Sequence, residues 1–282
     1  MLKALASLFA PGPAWRDGIT DPWFRDHFVH AASTAYGWLS AEMNVAGAEI
    51  LDFGCGDGIT DLGFALKYSP KKLTGVDVTK SFTRLGETAK TQIGLKKLPG
   101  NLEFRQIDAG QHLAGTMIVD AIFSWSTFEH VETPFLEPVA RDLFDTLRPG
   151  GLFFLQIDPL YYSPYGSHLA RFVKTPWAHL VLSEKELKDA VLNHRDDIPA
   201  NEKEYNFYAR NFEDYKAFIY NEYLKLNRIT PDELVDLFAS CGFAILRQER
   251  ARVSLSLPET LSDRYPVDDL MTNEIRLLMR KP

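Results

Sequence analysis

The sequence has few cysteines, no excess of positive charge and no long apolar run, and each absence excludes a class of protein. Its 282 residues include two cysteines, Cys55 and Cys241, too few for a disulfide scaffold or a cysteine-based zinc site. Asp and Glu outnumber Lys and Arg by 38 to 31, so a nucleic-acid partner is not expected. No apolar run reaches the length of a transmembrane helix. The low cysteine content favours a reducing compartment, and we expect a cytoplasmic protein.

Residues 1–10 carry one lysine in a short apolar stretch that loosely resembles a signal peptide. The apolar part is short and is followed at once by Pro11-Gly12-Pro13, which disfavours a secretory signal. We predict a short helix that packs on the domain. Peripheral contact of residues 1–10 with a membrane surface is the alternative.

Short apolar segments alternate with amphipathic segments over residues 48–159. Strands are predicted at residues 49–53, 73–77, 102–107, 119–123 and 152–157, with helices at 59–68, 81–93 and 135–146 and a turn at 147–151. This alternation predicts a parallel sheet with right-handed crossovers. Ligands bind such sheets beyond the carboxyl ends of the strands. Residues that directly follow the strands are therefore the candidates for a binding site.

We predict one domain over residues 1–282 in which the alternation is interrupted once. The parts are a helical N-terminal cap (1–47), a cofactor-binding half (48–159), an inserted substrate-binding lid (160–228) and a last helix with two strands (229–282). The predicted lid is helical and aromatic-rich, with 8 of the 11 tyrosines. Thr230, followed by Pro231 and Glu233, forms a capping box where the alternation resumes. The last two strands are predicted at 243–246 and 274–279.

Residues 52–58 (DFGCGDG) join the first strand to its helix. Glycine allows a tight turn and close approach of a ligand, and the helix N-terminus offers N–H groups to an anion. Asp77 ends the next strand, where a carboxylate can accept hydrogen bonds from ribose hydroxyls. A dinucleotide and S-adenosylmethionine both fit these features, although the glycine spacing departs from the dinucleotide pattern G-x-G-x-x-G.

Five segments in order carry a family resemblance. They are residues 50–58 (ILDFGCGDG), 75–77 (GVD), 107–109 (IDA), 120–131 (DAIFSWSTFEHV) and 147–151 (LRPGG). The series resembles a class I S-adenosylmethionine-dependent methyltransferase of the small-molecule or sugar type. The resemblance implies an α/β fold with a Rossmann-like, seven-stranded, mostly parallel sheet, helices on both faces and the helical insertion after the fifth strand. It also implies S-adenosyl-L-methionine as cofactor.

The resemblance assigns cofactor contacts to residues at the first two strand ends. Asp52 and the backbone of Gly54 and Gly56 are expected to hold the methionine end of S-adenosylmethionine. Asp77 is expected to bind the ribose hydroxyls. An acid-lined site suits a cofactor that carries a sulfonium and an ammonium group against one carboxylate.

The resemblance assigns further contacts to the next two strand ends. Asp108 is expected to accept a hydrogen bond from the adenine amino group, and Ala109 to donate its backbone N–H to the ring. Ser124 and Trp125 are expected beside the cofactor near the methyl group. For Trp125, packing in the wall of the site is an equal alternative.

Methyl transfer to a hydroxyl needs alignment of the reactants and a general base. His168, in a loop rich in tyrosine, and His130, after the fourth strand, are the candidate bases. Asp158 is a candidate for orienting a histidine or for acting as the base itself. A structural role for His130 or His168 is the alternative. No dense set of His, Asp and Glu with ligand spacing is present, so no metal is predicted.

Aromatic residues early in the insertion are the candidate substrate contacts. They are Tyr161, Tyr162, Tyr165, Trp177 and His179. They suit stacking on a sugar or aromatic ring, and an internally packed lid is the alternative. We expect transfer of a methyl group to a hydroxyl of a small-molecule or glycan acceptor. The alternatives are a natural-product phenol O- or N-methyltransferase and a non-catalytic, methyltransferase-like binding subunit. The oligomeric state is not predicted.

Overall fold

The computed structural model of the protein describes residues 18–195 and 211–282, and a seven-stranded sheet lies at its centre. The strands are β1 (Glu49–Phe53), β2 (Lys72–Asp77), β3 (Leu102–Gln106), β4 (Val119–Trp125), β5 (Leu147–Ile157), β6 (Ala244–Arg252) and β7 (Thr272–Arg280). All seven predicted strands are confirmed. The predicted turn at 147–151 is instead the beginning of β5, because Leu147 pairs with Val119 before an irregularity in the register.

The strand order is β3-β2-β1-β4-β5-β7-β6. Strands β1 to β5 pair in parallel, and β7 runs antiparallel between β5 and β6. The predicted, mostly parallel, seven-stranded sheet is therefore confirmed. Chain order reverses between β1 and β4, so the loops after these two strands form the topological switch point at which ligands bind.

Seven helices of eight or more residues lie in the described part of the chain. They are α1 (Ala32–Ser40), α2 (Ile59–Tyr68), α3 (Leu85–Ile93), α4 (Leu136–Thr146), α5 (Glu184–Leu192), α6 (Phe212–Lys225) and α7 (Pro231–Ser240). A helical turn (Pro22–Arg25) and a π-helical segment (Asp26–Ala31) run directly into α1. The capping box at the beginning of α7 is present as predicted. The helix predicted for residues 1–10 lies outside the described residues.

Apolar layers cover both faces of the sheet. Alternate residues of one strand point to opposite faces, and Phe153 and Phe154 of β5 accordingly belong to different apolar clusters. The first cluster includes residues of α4 and α7, and the second includes residues of α1 and α2. Burial on both faces explains why these strands are nearly continuous apolar runs rather than alternating patterns.

The insertion is partly helical. It contains α5, α6 and one helical turn (Ala178–Val181), and these pack around an apolar cluster that includes Leu187, Val191 and Tyr220. Residues 158–177 form neither helix nor strand, so the prediction of a helical insertion is wrong for this part. Residues 196–210 lie outside the described residues. Among the helices that the structure describes, none is both long and apolar enough to cross a membrane.

Candidate functional site

The loop between β1 and α2 has a backbone that only glycine adopts readily. Gly54, Gly56 and Gly58 have φ angles of +85°, +54° and +75°. A Cβ atom on Gly54 would lie 2.1 Å from Cγ2 of Thr127, which belongs to the loop after β4. The Thr127 hydroxyl also donates a hydrogen bond to the Gly54 carbonyl (3.1 Å). The backbone of the glycine loop therefore packs directly against the Thr127 side chain of the loop after β4.

Asp77 fastens this glycine loop to the end of β2. Its Oδ2 accepts a hydrogen bond from the Gly56 N–H (2.9 Å), and its Oδ1 accepts from the N–H and hydroxyl of Thr79 (both 2.7 Å). A carboxylate oxygen can accept more than one hydrogen bond, so Asp77 retains capacity for ribose hydroxyls. Asp77, the predicted partner of the ribose hydroxyls, therefore also holds the glycine loop in its conformation.

Two buried carboxyl groups face each other beside the glycine loop. Asp52 of β1 and Asp61 of α2 are 2% and 0% exposed. Among the described residues no donor reaches Oδ1 of Asp52 or either oxygen of Asp61. Burial raises the pKa of Asp52 well above its usual value and that of Asp61 to about 8. The neighbouring acids raise the pKa of Asp52 further, whereas the interaction with Asp52 opposes the rise at Asp61. Orphaned carboxyl oxygens beside a glycine cradle fit a cofactor with an ammonium group.

The acid on α2 was not predicted from the sequence. Asp61 is the third residue of α2, and the first seven residues of this helix are all buried. An acid within such a largely apolar segment is the signal that could have marked Asp61 as a functional candidate. A charged side chain on a fully buried helical face is rare unless it has a partner. The neighbour of Asp61 here is a second acid, Asp52, which reaches the same place from β1.

The predicted adenine and methyl contacts differ in their exposure. Asp108 and Ala109 are exposed at the end of β3, and the Asp108 N–H donates to Oε1 of Gln111 (2.9 Å). Ser124 is fully buried, and its hydroxyl donates to the Phe53 carbonyl (2.7 Å). The Ser124 hydroxyl thus joins β4 to β1, and the proximity of Ser124 to the methyl group stays a prediction.

Trp125 is half-buried at the end of β4. Its ring packs against the apolar cluster on the α1 and α2 side, with its centroid 6.5 Å from that of Phe154. This position agrees with the alternative that Trp125 packs in the wall of the site.

Glu129, His130 and His168 come together where β4 and β5 end. One ligand atom from each lies within 4.8 Å of the others, and the two histidine rings have centroids 4.9 Å apart. Glu129 is 3% exposed, and in the described structure neither of its carboxyl oxygens has a hydrogen-bond partner. Burial raises the pKa of Glu129 to about 8. Glu129 was not predicted as a functional residue, although it directly precedes His130.

The surroundings of His168 bear on its predicted role as a base. Burial and the two neighbouring histidines lower the pKa of His168 to about 3. An imidazole with this pKa holds a proton poorly at neutral pH, so unaided general-base catalysis by His168 is disfavoured. Asp158, another of the three candidates, is exposed after β5 and accepts a hydrogen bond from the Asn273 amide (2.5 Å).

Asn227 holds the loop after β4 in place from the insertion side. Its side-chain amide donates to the carbonyls of Phe128 (2.5 Å) and Val131 (2.9 Å), and its backbone N–H donates to the Glu129 carbonyl (3.1 Å). Asn227 is 3% exposed. Because these bonds take up three carbonyls around Glu129 and His130, they define the backbone from which both side chains project.

A cavity of about 270 Å³ lies between the insertion and the C-terminal segment. Three of the candidate substrate contacts, Tyr161, Tyr162 and His179, line it. Trp177 does not line it: the ring is 1% exposed, and its N–H donates to the Leu270 carbonyl (3.2 Å), so the prediction for Trp177 is wrong. Tyr165 is 37% exposed and also lies outside the lining.

The cavity has further lining residues that the sequence did not indicate. Among them are Tyr223, Arg228, Arg264 and Tyr265. The Arg228 guanidinium lies over the Tyr161 ring, 5.1 Å from its centroid, and that of Arg264 lies at the same distance from the Tyr265 centroid. Each arginine thus presents a positive charge beside an aromatic wall.

Comparison with known proteins agrees with this geometry. A family model described as a methyltransferase domain matches residues 50–151, which run from β1 into β5. Over these residues the chain is similar to a methyltransferase domain, in agreement with the resemblance to the class I S-adenosylmethionine-dependent enzymes. The match contains the glycine loop, Asp77 and Glu129-His130, whereas His168 and the tyrosine-lined cavity lie outside it. The matched segment therefore contains the candidate cofactor residues at the carboxyl ends of β1, β2 and β4, here called the cofactor edge, and does not include the cavity.

Curated relatives of the methyltransferase domain include the ubiquinone biosynthesis O-methyltransferase of Pseudomonas fluorescens strain Pf0-1, which is 32% identical over 119 residues. That alignment covers 42% of this chain and 47% of the relative, so the chain spans about half the length of the relatives that it matches.

Two solved structures share the fold. A Galdieria sulphuraria protein assigned as a sarcosine dimethylglycine methyltransferase has a TM-score of 0.53 at 13% identity, with 90% of this chain and 86% of that chain covered. The [4+2]-cyclase SpnF has a TM-score of 0.52 at 16% identity, with 89% and 80% covered. The fold alone therefore does not determine the reaction.

Proposed function

We propose that this chain binds S-adenosylmethionine and transfers its methyl group to a hydroxyl of a small molecule that carries a ring. The observation that carries the proposal is the hydrogen bond between the Gly56 N–H and Oδ2 of Asp77, which joins the glycine loop to the acid expected to bind the ribose. Asp52 and Asp61 add orphaned carboxyl oxygens for the ammonium group. Asp108 and Ala109 lie exposed at the next strand end, where the adenine would bind.

When bound, the cofactor supplies an electrophilic methyl carbon, which bonds to the acceptor oxygen while the carbon–sulfur bond breaks and its electron pair stays on sulfur. The remaining task of the protein is to align the acceptor and remove its proton. The insertion supplies the alignment through Tyr161, Tyr162 and His179 in the cavity wall.

The acceptor is proposed from the chemistry of the cavity. Its tyrosine rings suit stacking on a sugar ring, and Arg228 and Arg264 suit an anionic substituent such as a phosphate or carboxylate. A phenol is the second candidate, and the names of the relatives as O-methyltransferases favour it. Turnover of methyl donor with sugars, nucleotide sugars and phenols distinguishes these acceptors.

Asp77→Ala is expected to weaken S-adenosylmethionine binding at least tenfold. The substitution removes the acceptor for the ribose hydroxyls and also releases the Gly56 N–H, and each hydrogen bond to a charged group contributes about 1.5–3 kcal/mol. Calorimetric titration with S-adenosylmethionine and with its demethylated product measures the change. Asp236→Ala, an exposed position on α7, is the control and should leave both affinities unchanged.

Two results would contradict the proposed function. The first is an absence of binding heat with either ligand, together with binding of NAD, which would indicate a nicotinamide-dependent enzyme. The second is tight binding of S-adenosylmethionine without turnover of any acceptor in the screen, which would favour a non-catalytic binding subunit. Unchanged affinity in Asp77→Ala would show that the ribose site lies elsewhere.

Arg228→Ala is expected to raise KM for an anionic acceptor about tenfold and leave kcat nearly unchanged. The guanidinium lines the cavity and would contact the acceptor equally in the ground state and the transition state. Steady-state kinetics with the best sugar phosphate and its uncharged parent measure the effect. Arg141→Ala removes an exposed cation on α4 as the control. An equal rise in KM for charged and uncharged acceptors would contradict an anion-binding role.

A further inference from the structure

We propose that Glu129, His130 and His168 bind a divalent first-row transition-metal ion. The three residues come from two loops at the carboxyl end of the sheet, and His168 lies outside the segment matched by the methyltransferase family. None of the three residues belongs to the glycine loop or lines the tyrosine-lined cavity.

The distances suit a single ion. Three atoms separated by at most 4.8 Å lie within about 2.8 Å of a common centre, against about 2.0–2.2 Å for bonds from zinc to histidine nitrogen or carboxylate oxygen. Small side-chain rotations therefore complete the coordination. Two imidazoles and one carboxylate are the ligand set of catalytic zinc sites and of non-haem iron sites, and both leave positions open for another ligand. Magnesium and calcium prefer oxygen ligands and fit this set less well.

Three polar atoms of the cluster lack a hydrogen-bond partner in the described structure. Both carboxyl oxygens of Glu129 and Nε2 of His168 are buried without a hydrogen-bond partner. Buried polar groups are almost always paired, since an orphaned one costs free energy. Two residues with orphaned atoms that lie together and converge with a third ligand are explained by an ion between them.

The backbone around the cluster holds these side chains in position. His168 has a φ of +58°, a conformation that histidine rarely adopts, and its N–H donates to the Tyr165 carbonyl (3.0 Å). Asn227 binds the carbonyls on both sides of His130 from the insertion. These bonds fix the backbone from which the side chains of the cluster project.

The ion would take part in the proposed methyl transfer, on which this role depends. An acceptor hydroxyl bound at an open coordination position has a lowered pKa, so its proton passes to solvent and the oxygen attacks as an alkoxide or phenolate. An acceptor with two neighbouring oxygens would fill two open positions.

Cobalt titration of the full, untagged chain tests the site without cofactor or acceptor. After removal of metal with a chelator, Co²⁺ is added and the visible absorption is recorded, followed by displacement with Zn²⁺. We expect one ion per chain with micromolar or tighter affinity. Glu129→Gln and His168→Asn should each weaken binding at least a hundredfold. Asparagine tolerates the backbone conformation of His168 better than most residues.

His30→Asn is the matched control, because His30 is an exposed histidine outside the cluster. It should bind Co²⁺ like the wild type, and circular dichroism should show that all three variants are folded. Absence of a stoichiometric Co²⁺ band, or equal binding by both cluster variants and the wild type, would overturn the metal site. S-adenosylmethionine binding by the metal-free chain separates the two proposals: if it persists while Co²⁺ binding is absent, only the metal site fails.

Discussion

Gly54→Ala is expected to lower S-adenosylmethionine affinity at least a hundredfold and to destabilise the fold by about 2–5 kcal/mol. Two costs add at this position. A φ of +85° disfavours any residue with a Cβ, and the added atom would meet the side chain of Thr127 at 2.1 Å. To relieve the clash the loop must move away from β4, which displaces Gly56 from Asp77 and the cofactor edge with it.

Calorimetric titration and urea unfolding measure the two effects of Gly54→Ala. Gly47→Ala is the matched control, because Gly47 has a φ of +86° and within the described structure an added Cβ would meet no atom within 4 Å. It should show the backbone cost of about 1 kcal/mol without loss of binding. Adding Thr127→Gly to Gly54→Ala should restore part of the affinity. Wild-type affinity in the single variant would contradict the assignment of this loop to the cofactor.

Asp61→Asn is expected to stabilise the protein relative to the wild type by an amount that grows with pH. Burial raises the pKa of Asp61 to about 8, whereas in the unfolded chain it is near 3.8. Between these values the folded protein holds a proton that the unfolded chain releases, so wild-type stability falls as pH rises. Below pH 3.8, the pKa of Asp61 in the unfolded chain, both states hold the proton and stability is not lost in this way. Asparagine is neutral throughout and donates to Asp52, so the variant avoids the loss.

The gain is expected to be on the order of 3 kcal/mol larger at pH 8 than at pH 5, from about 1.4 kcal/mol per pH unit. Urea unfolding of wild type and variant at both pH values measures it. Asp236→Asn, an exposed acid on α7, should change stability equally at both pH values. If the gain from Asp61→Asn is the same at pH 5 and pH 8, the buried carboxyl does not hold a proton in the folded state.

The strands and helices that build the cofactor edge could be predicted from the sequence because their signals are local. An apolar run that ends in glycine marks β1, and a capping box marks the beginning of α7. The rule that ligands bind at the carboxyl ends of parallel strands then selects Asp77 without knowledge of any contact. What was missed at this edge, the carboxyl of Asp61, depends on which face of α2 packs against the sheet.

The insertion could not be predicted in the same way. Trp177 and Tyr162 are both aromatic residues in a loop-rich stretch, yet the first is in the core and the second lines the cavity. Hydrophobic periodicity and composition cannot tell which of the two residues is buried, because residues 158–177 form neither helix nor strand. Without regular structure, buried positions do not recur at a fixed spacing. Exposure there depends on contacts with distant residues such as Leu270.

The sequence by itself determined which segments are strands and helices, their order along the chain and the acids at the strand ends, because apolar periodicity, turn residues and helix caps act over a few residues. Only the tertiary structure decided that Glu129, His130 and His168 converge and that Asp52 meets Asp61. The scarcity of cysteine had excluded one kind of metal site. The histidine and carboxylate ligands proposed here are brought together by packing between loops far apart in the chain. Spacing along the sequence does not show such packing.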